Sequence, residues 1–252
     1  MFFCAIMPLV SAFQEVRRPA AINPDGGFYT LIKVLKDFRL EPALINTLFL
    51  LAICVPIILI SVLILALLLD SVEMKGNGVI RLLLLIPALI PTAAMVVFWL
   101  ERVGTDVLWT QTNIRWLIGA IFLSTIIGTW IVIQYGALTA IPPELLEAAV
   151  IDGCNRLQLA IRLKLPYIAR YIAYMVIVVI VNAIQIFTEP EYLKSTKVAT
   201  EWSINQVAYS YAFNFGDFAG GTAVSFYILI PNILLAFLFV YFSGFLERKK
   251  SK

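Results

Sequence analysis

Long apolar stretches alternate with short polar ones along this chain. Five of them are long enough to matter: 43–69, 79–100, 116–141, 167–187 and 223–246. A helix needs roughly 20 apolar residues to cross about 30 Å of hydrocarbon, and each stretch qualifies. Their Val and Ile content would favour strands in water. A backbone in lipid must satisfy its own hydrogen bonds, so the pattern predicts helices. Pro56, Pro87, Pro91 and Pro231 fall inside these stretches. Each removes a backbone donor and is expected to kink its helix, either for shape alone or to line a path between helices. Pro87 and Pro91 stand one turn apart, which predicts a bend in the second helix.

The opening residues, 1–13, are apolar but reach only about 20 Å as a helix. They lack the basic start of a secretory signal. They are read as the end of a sixth, truncated helix. No linker, low-complexity stretch or internal repeat divides the sequence. The expected fold is therefore an all-α integral membrane protein with about six transmembrane helices, built as a single domain over 1–252.

Composition agrees with a lipid solvent. The chain is 61% hydrophobic and only 14% charged, about half the usual globular share. A net charge of +3 without a dense basic patch points away from nucleic acid. The absence of histidine removes His-based zinc sites, triads and proton relays. Cys4, Cys54 and Cys154 form no visible disulfide framework and are read as small packing residues. Between their ends the apolar stretches hold almost no ionisable residue, which argues against a membrane-embedded enzyme and against ion-coupled transport. No catalytic or metal-binding residues are expected.

Lys and Arg placement sets the expected orientation. Connections 70–81 and 142–170 and the tail after 246 hold Lys75, Arg81, Arg156, Arg162, Lys164, Arg170, Arg248, Lys249, Lys250 and Lys252. The segments 14–42, 101–115 and 188–222 are longer, and acids offset their basic residues. The first side, with the C-terminus, is expected to be cytoplasmic. The segments 14–42 and 188–222 then face outward and are long enough for short surface helices.

One stretch breaks the apolar pattern. "EAAVIDGCNRLQLAIRLKLP", residues 147–166, carries Glu147, Asp152, Arg156, Arg162 and Lys164. A charge at the centre of a span costs roughly 2.5–3.5 kcal/mol, so this segment stays outside the hydrocarbon. Pro142 and Pro143 suit a helix start, with Glu144 and Glu147 near its positive end. Gly153 is expected to end that helix. A second short helix follows, with Leu157, Ile161 and Leu165 on one side and Pro166 as its stop. Two readings fit these residues. One is an amphipathic helix on the inner membrane surface, against lipid headgroups. The other is a docking element for a cytoplasmic protein, with small residues where the partner approaches closely.

The spacing Glu147-Ala148-Ala149, Gly153, Leu165-Pro166 closely resembles the cytoplasmic signature of ABC-importer permease subunits. Asp152, Gln158 and the lead-in "IPPELLEAA" are similar to the form found in carbohydrate permeases. "IPALIPTAAMVVFW" at 86–99, "QIFTEPEYL" at 185–193 and "YSYAFNFGDFAGGTAVS" at 209–225 resemble the maltose-type branch. Cys154, Ala160 and Leu163 differ from the usual residues, and "KSTKVAT" replaces a usual Gly-Gly-Pro.

The resemblance implies the type I ABC-importer permease fold, with 142–166 as the coupling-helix segment. It implies that Glu147, Ala148, Ala149, Asp152, Gly153, Leu165 and Pro166 dock an ATPase. The implied partners are a second permease subunit, two cytoplasmic ATPases and an extracytoplasmic solute-binding protein. No cofactor is implied for this chain; ATP and Mg would be bound by the ATPases, and no phosphate-binding G-x-x-x-x-G-K-[ST] loop occurs here. The implied cargo is a sugar, with amino acids, peptides or another small solute as the alternative. Polar residues inside the spans are then candidates for the substrate path: Asn182, Gln185, Thr129, Trp130, Gln134 and Tyr135. Amides can hold hydroxyls and aromatic rings can cover sugar faces. The competing reading of the same residues is helix–helix hydrogen bonding.

Overall fold

The computed structural model describes residues 28–71, 83, 86, 89–103, 111–194 and 201–242. The expectations placed on 1–13, Pro87, Arg81 and the basic tail lie outside the described residues.

The described chain is helical, with no strand among those residues. Helix α1 is Phe28–Leu35, and α2 is the long span Leu40–Ser71. Helices α3, Thr92–Val103, and α4, Gln111–Thr139, follow. The charged segment forms α5, Pro143–Ile151, and α6, residues 156–167. Helix α7 is Ala169–Ile184, then come α8, Thr188–Lys194, α9, residues 204–214, and α10, Phe218–Phe242. Four candidate spans result among the described residues, Leu40–Ser71, Ile114–Thr139, Ala169–Leu193 and Phe218–Val240. They correspond to the first, third, fourth and fifth predicted stretches. Of the second stretch, the described helix is α3, which starts after a bend at Ile90, with the Pro91 carbonyl accepting from Met95 N at 3.1 Å. The prediction of a bend near Pro91 matches this break.

Helix α2 shows how the spans distribute their residues. Ile58, Val62, Ala66 and Leu69 are buried, whereas Ile60, Ile64 and Leu68 are more than half exposed. Both stripes recur at helical spacing. In water the exposed stripe would be a liability; against lipid or another apolar helix it is the correct face. The inner stripe meets α4 and α7 around Ile118, Ile121, Ile131 and Met175. Cys54 is buried here, in line with a packing role. It faces Gly119, where an added Cβ would lie 3.0 Å from the Cys54 sulfur. Gly119→Leu is therefore expected to overpack the α2–α4 contact and cost about 1–3 kcal/mol. A lowered melting temperature of the purified protein would register this, and an unchanged one would refute the close approach.

Among the described residues, three π-helical turns interrupt the helices: Leu50–Cys54, Leu159–Lys164 and Ser210–Asn214. Two of them come just before prolines, Pro56 and Pro166. A wide turn at that point absorbs the lost donor and the ring's bulk. The expectation that Pro166 stops the second short helix is thereby corrected. The helix runs through it to Tyr167, and the break falls at Ile168, with φ −90° and ψ 7°. Pro231 likewise sits inside continuous α10.

Two further apolar clusters close the ends of the bundle. One joins α1, the start of α2, α9 and α10 through Val34, Leu40, Val207, Tyr211 and Val224. At the other end Ala66, Leu138, Ile141 and Ile168 bring together the ends of α2, α4 and α7. The charged segment sits at this second end. The segments expected to face outward contain the short helices α1, α8 and α9, as their length predicts.

Candidate functional site

Helix α5 begins at Pro142, extended at ψ 131°, with Pro143 in its first turn and Glu144 beside the helix start. It ends in a Schellman arrangement. Cys154 N donates to Ala149 O at 3.0 Å and Gly153 N donates to Val150 O at 3.0 Å. Gly153 has φ +83°, a backbone state that costs a residue with a Cβ about 1–2 kcal/mol. Nothing lies within 4 Å of the position a Gly153 Cβ would take. Its glycine is thus required inside this chain by conformation, not by space.

The next residue pair starts α6. Asn155 Oδ1 accepts from Gln158 N at 2.8 Å, and Gln158 Oε1 accepts from Asn155 N at 2.9 Å. This is a capping box. Gln158 stood out in the sequence only through resemblance. The N-x-x-Q spacing of Asn155 and Gln158 is the physical signal of this cap in the sequence.

The signature residues divide by exposure. Glu147, Ala148, Asp152, Gly153 and Pro166 are exposed, Leu165 is half-buried and Ala149 is buried. Ala149 also supplies the capping carbonyl, so its role includes closing α5. Around the exposed set lie Val150, Ile151 (85% exposed), Leu157 and Ile161. Of the expected apolar side of α6, Leu157 and Ile161 are open, whereas Leu165 is partly covered by this chain. A shallow groove of about 420 Å³ runs along Leu146, Glu147, Val150 and Ile151. Beneath it, Leu146, Leu163 and Leu165 pack against the cluster that joins the ends of α2, α4 and α7. Lys164 Nζ forms an ion pair with Asp70 at the end of α2.

Towards the other end of the bundle is a cavity of about 380 Å³. Asn182 and Gln185 line it with Thr92, Thr125, Phe187 and Glu189. Asn182 Nδ2 donates to Val178 O of its own helix at 3.0 Å, which leaves its oxygen for the cavity. Gln185 ends α7; its backbone carbonyl accepts from Asn205 Nδ2 at 2.7 Å.

The structure separates the remaining candidates from this cavity. Gln134 is fully buried and donates from Nε2 to Tyr171 O at 3.0 Å, between α4 and α7. For Gln134 the helix–helix bonding alternative describes the geometry. Trp130 and Tyr135 pack against the main core, and Thr129 is exposed away from the cavity lining. Thr92, Thr125 and Glu189 were missed, because α3, α4 and α8 meet only in three dimensions.

A polar cluster near the start of α2 was also missed. Arg39 contacts Asp37 through Nε (3.1 Å) and Nη2 (2.7 Å), and Glu201 through Nη1 at 3.3 Å. Its guanidinium carbon lies 4.7 Å from the Tyr211 ring centroid and 5.0 Å from that of Phe215. Tyr211 Oη donates to Asp37. Burial alone would raise the Asp37 carboxyl, but bonds from Arg39 and Tyr211 outweigh it and hold it at about 2. The bond to Asp37 raises Arg39. Burial and the neighbouring Asp37 raise Tyr211. Gly216, at φ +67°, and Asp217, whose Oδ1 accepts from Gly220 N at 2.9 Å, then start α10. Gly216 and Gly220 thus lie at a helix start.

Residues 43–251 match the family described as binding-protein-dependent transport system inner membrane component. The trehalose/maltose transport system permease protein MalF of Thermococcus litoralis is 28% identical over 191 residues, covering 67% of this chain and 62% of that protein. The probable ABC transporter permease protein YesP of Bacillus subtilis is 29% identical, covering 48% of this chain and 44% of that one. The arabinooligosaccharides transport system permease protein AraP of Bacillus subtilis is 22% identical, covering 97% and 80%. The chain thus spans less than two thirds of the first two relatives. A bacterial alginate ABC transporter, solved with an alginate-bound periplasmic protein, contains a chain of like fold. The TM-score is 0.75 at 19% identity, over 99% of this chain and 89% of that one. The helical bundle is therefore the type I ABC-importer permease fold. Because the family match runs from the start of α2 to beyond α10, the chain belongs to the inner membrane components of binding-protein-dependent transport systems.

Proposed function

We propose that this chain is one permease subunit of an ATP-driven importer for a carbohydrate. Its observation of greatest weight is the exposed α5–α6 surface, seated on the joined ends of three spans. In this reading Glu147, Ala148, Ala149, Asp152, Gly153, Leu165 and Pro166 form the ATPase-docking element. The end that carries them, with the C-terminus, is cytoplasmic. The remaining partners are a second permease subunit, two ATPases and an external solute-binding protein. ATP and its magnesium reside on the ATPases, whose closure moves the spans between inward-facing and outward-facing states.

Asn182 and Gln185 belong to the substrate path. The cavity offers amides, hydroxyls and the Phe187 ring, groups suited to a polyhydroxylated ring with apolar faces. The charged residue of its lining is Glu189, which favours a neutral sugar over an acidic one. The names of the relatives support a carbohydrate cargo. A complex reconstituted with its external binding protein is expected to accumulate a neutral oligosaccharide; accumulation of amino acids or peptides in its place would contradict the assignment.

Asn182→Leu and Gln185→Leu should each raise the KM for uptake by about fivefold to tenfold, the worth of one hydrogen bond of about 1 kcal/mol. Gln134→Leu, between α4 and α7, should leave KM within about twofold. An unchanged KM in both former variants would remove them from the path.

A further inference from the structure

We propose that the ion pair between Lys164 and Asp70 is the strut that carries movement of the docking element into α2. The α5–α6 segment is joined through the chain to α4 on one side and to α7 on the other. It has no such junction with α2, whose end is 94 residues away in sequence from Lys164. Movement must therefore reach α2 by packing, either by way of α4 and α7 or directly from α6.

Two kinds of contact make that connection. Leu163 and Leu165 of α6, like Leu63 and Leu67 of α2, pack against the apolar cluster that contains Ala66, but such contacts are non-directional and can slide. Lys164–Asp70 is, among the described residues, the ion pair that joins α6 to α2. The two side chains are only 14% and 15% exposed. Salt screens a pair so placed much less than a surface pair, and removing either partner strands a desolvated charge. Lys164 also ends the π-turn that precedes Pro166, so its position follows the path of α6 into α7. Neither residue lines the cavity and both side chains are largely covered, so the pair acts through other groups as a positioning pair.

This inference rests on the docking reading, and the test keeps the two separate. The complete complex is compared with Asp70→Asn, Lys164→Gln and the exchange Asp70→Lys with Lys164→Asp. Co-purification of the ATPases reports docking. Switching is read from a Gln185→Cys reporter, in a background with Cys4, Cys54 and Cys154 replaced by alanine, labelled by an impermeant maleimide with and without ATP and vanadate. The reporter complex with Asp70 and Lys164 intact, read by labelling and not by uptake because Gln185 belongs to the path, is expected to change its labelling rate by at least about fivefold on addition of ATP and vanadate. Each single variant should keep the ATPases but change less than about twofold, and the exchange should recover most of the change. Single variants that switch normally overturn the strut, as does an exchange that recovers nothing. Loss of the ATPases, or of membrane abundance, in the single variants also overturns it, since the pair would then serve docking or folding. A Gly153→Asp control that retains the ATPases would sink the docking reading instead.

Discussion

Gly153→Asp is expected to abolish ATP-driven uptake while the protein still inserts and accumulates. The expectation has two parts of different size. Within the chain, a Cβ at φ +83° costs about 1–2 kcal/mol, partly relieved for Asn and Asp, which tolerate this region better than other residues. The spans hold α5 in place through the buried cluster at their ends, so that cost does not unfold the protein. The larger effect comes from outside. Space around Gly153 is empty in this chain, and in the proposed complex a partner surface occupies it. An added carboxylate would be desolvated there beside exposed Asp152 and Glu147, with like charges raising the cost. Gly153→Asn keeps the backbone cost and the bulk but removes the charge, and should retain more of the activity than Gly153→Asp. Wild-type uptake by Gly153→Asp at normal abundance would contradict docking at this turn.

Arg39→Ala should destabilise the opposite end by about 3–5 kcal/mol, because it leaves Asp37 and Glu201 without their cation. Their side chains are 7% and 6% exposed, so water offers little replacement. Arg39→Lys should recover only part of the loss, since one ammonium cannot reproduce the two-pronged contact with Asp37 and the ring stacking. The same cluster should respond to acid. Asp37 is held at about 2, against 3.8 for a free aspartate. A depressed carboxyl contributes its stability in full above the unfolded value. That contribution, about 2 kcal/mol, is lost as pH falls from about 4 to about 2. Thermal unfolding across this interval should show a smaller acid-induced loss in Asp37→Asn than in the unaltered protein. Equal losses in both would rule Asp37 out as the titrating group.

The spans were legible because lipid leaves few options. Continuous apolar sequence of that length must be helical, and α2, α4, α7 and α10 fall where the stretches lie. The boundary at 187 moved outward to Leu193, since Glu189 and Glu191 interrupt the apolar count although the helical region continues into α8. The π-turns were not legible: they leave no periodic mark, so Pro166 looked like a stop. The turn at Gly153 was legible because its conformation is local and glycine-dependent.

The cavity was only half legible. Helix α4 is apolar on nearly every side, so its sequence does not tell which face Gln134 or Trp130 occupies. Asn182 and Gln185 could be paired by their one-turn spacing on α7. Thr92, Thr125 and Glu189 come from other elements, and so do the partners of Arg39, with Glu201 lying 162 residues away. Such juxtapositions are products of packing, and single-chain periodicity carries no record of them.

Site-specific crosslinking from Ile151 tests the central claim most directly. This residue is 85% exposed beside the α5 turn and contributes no buried contact whose loss would disturb the fold. With a photoreactive side chain at 151 in the intact complex, the predicted product is a crosslink to the ATPase subunit, with a yield that changes when ATP and vanadate are added. Crosslinking to lipid alone, with the ATPases present and hydrolysing ATP, would contradict the account and return α5–α6 to the role of a membrane-surface helix.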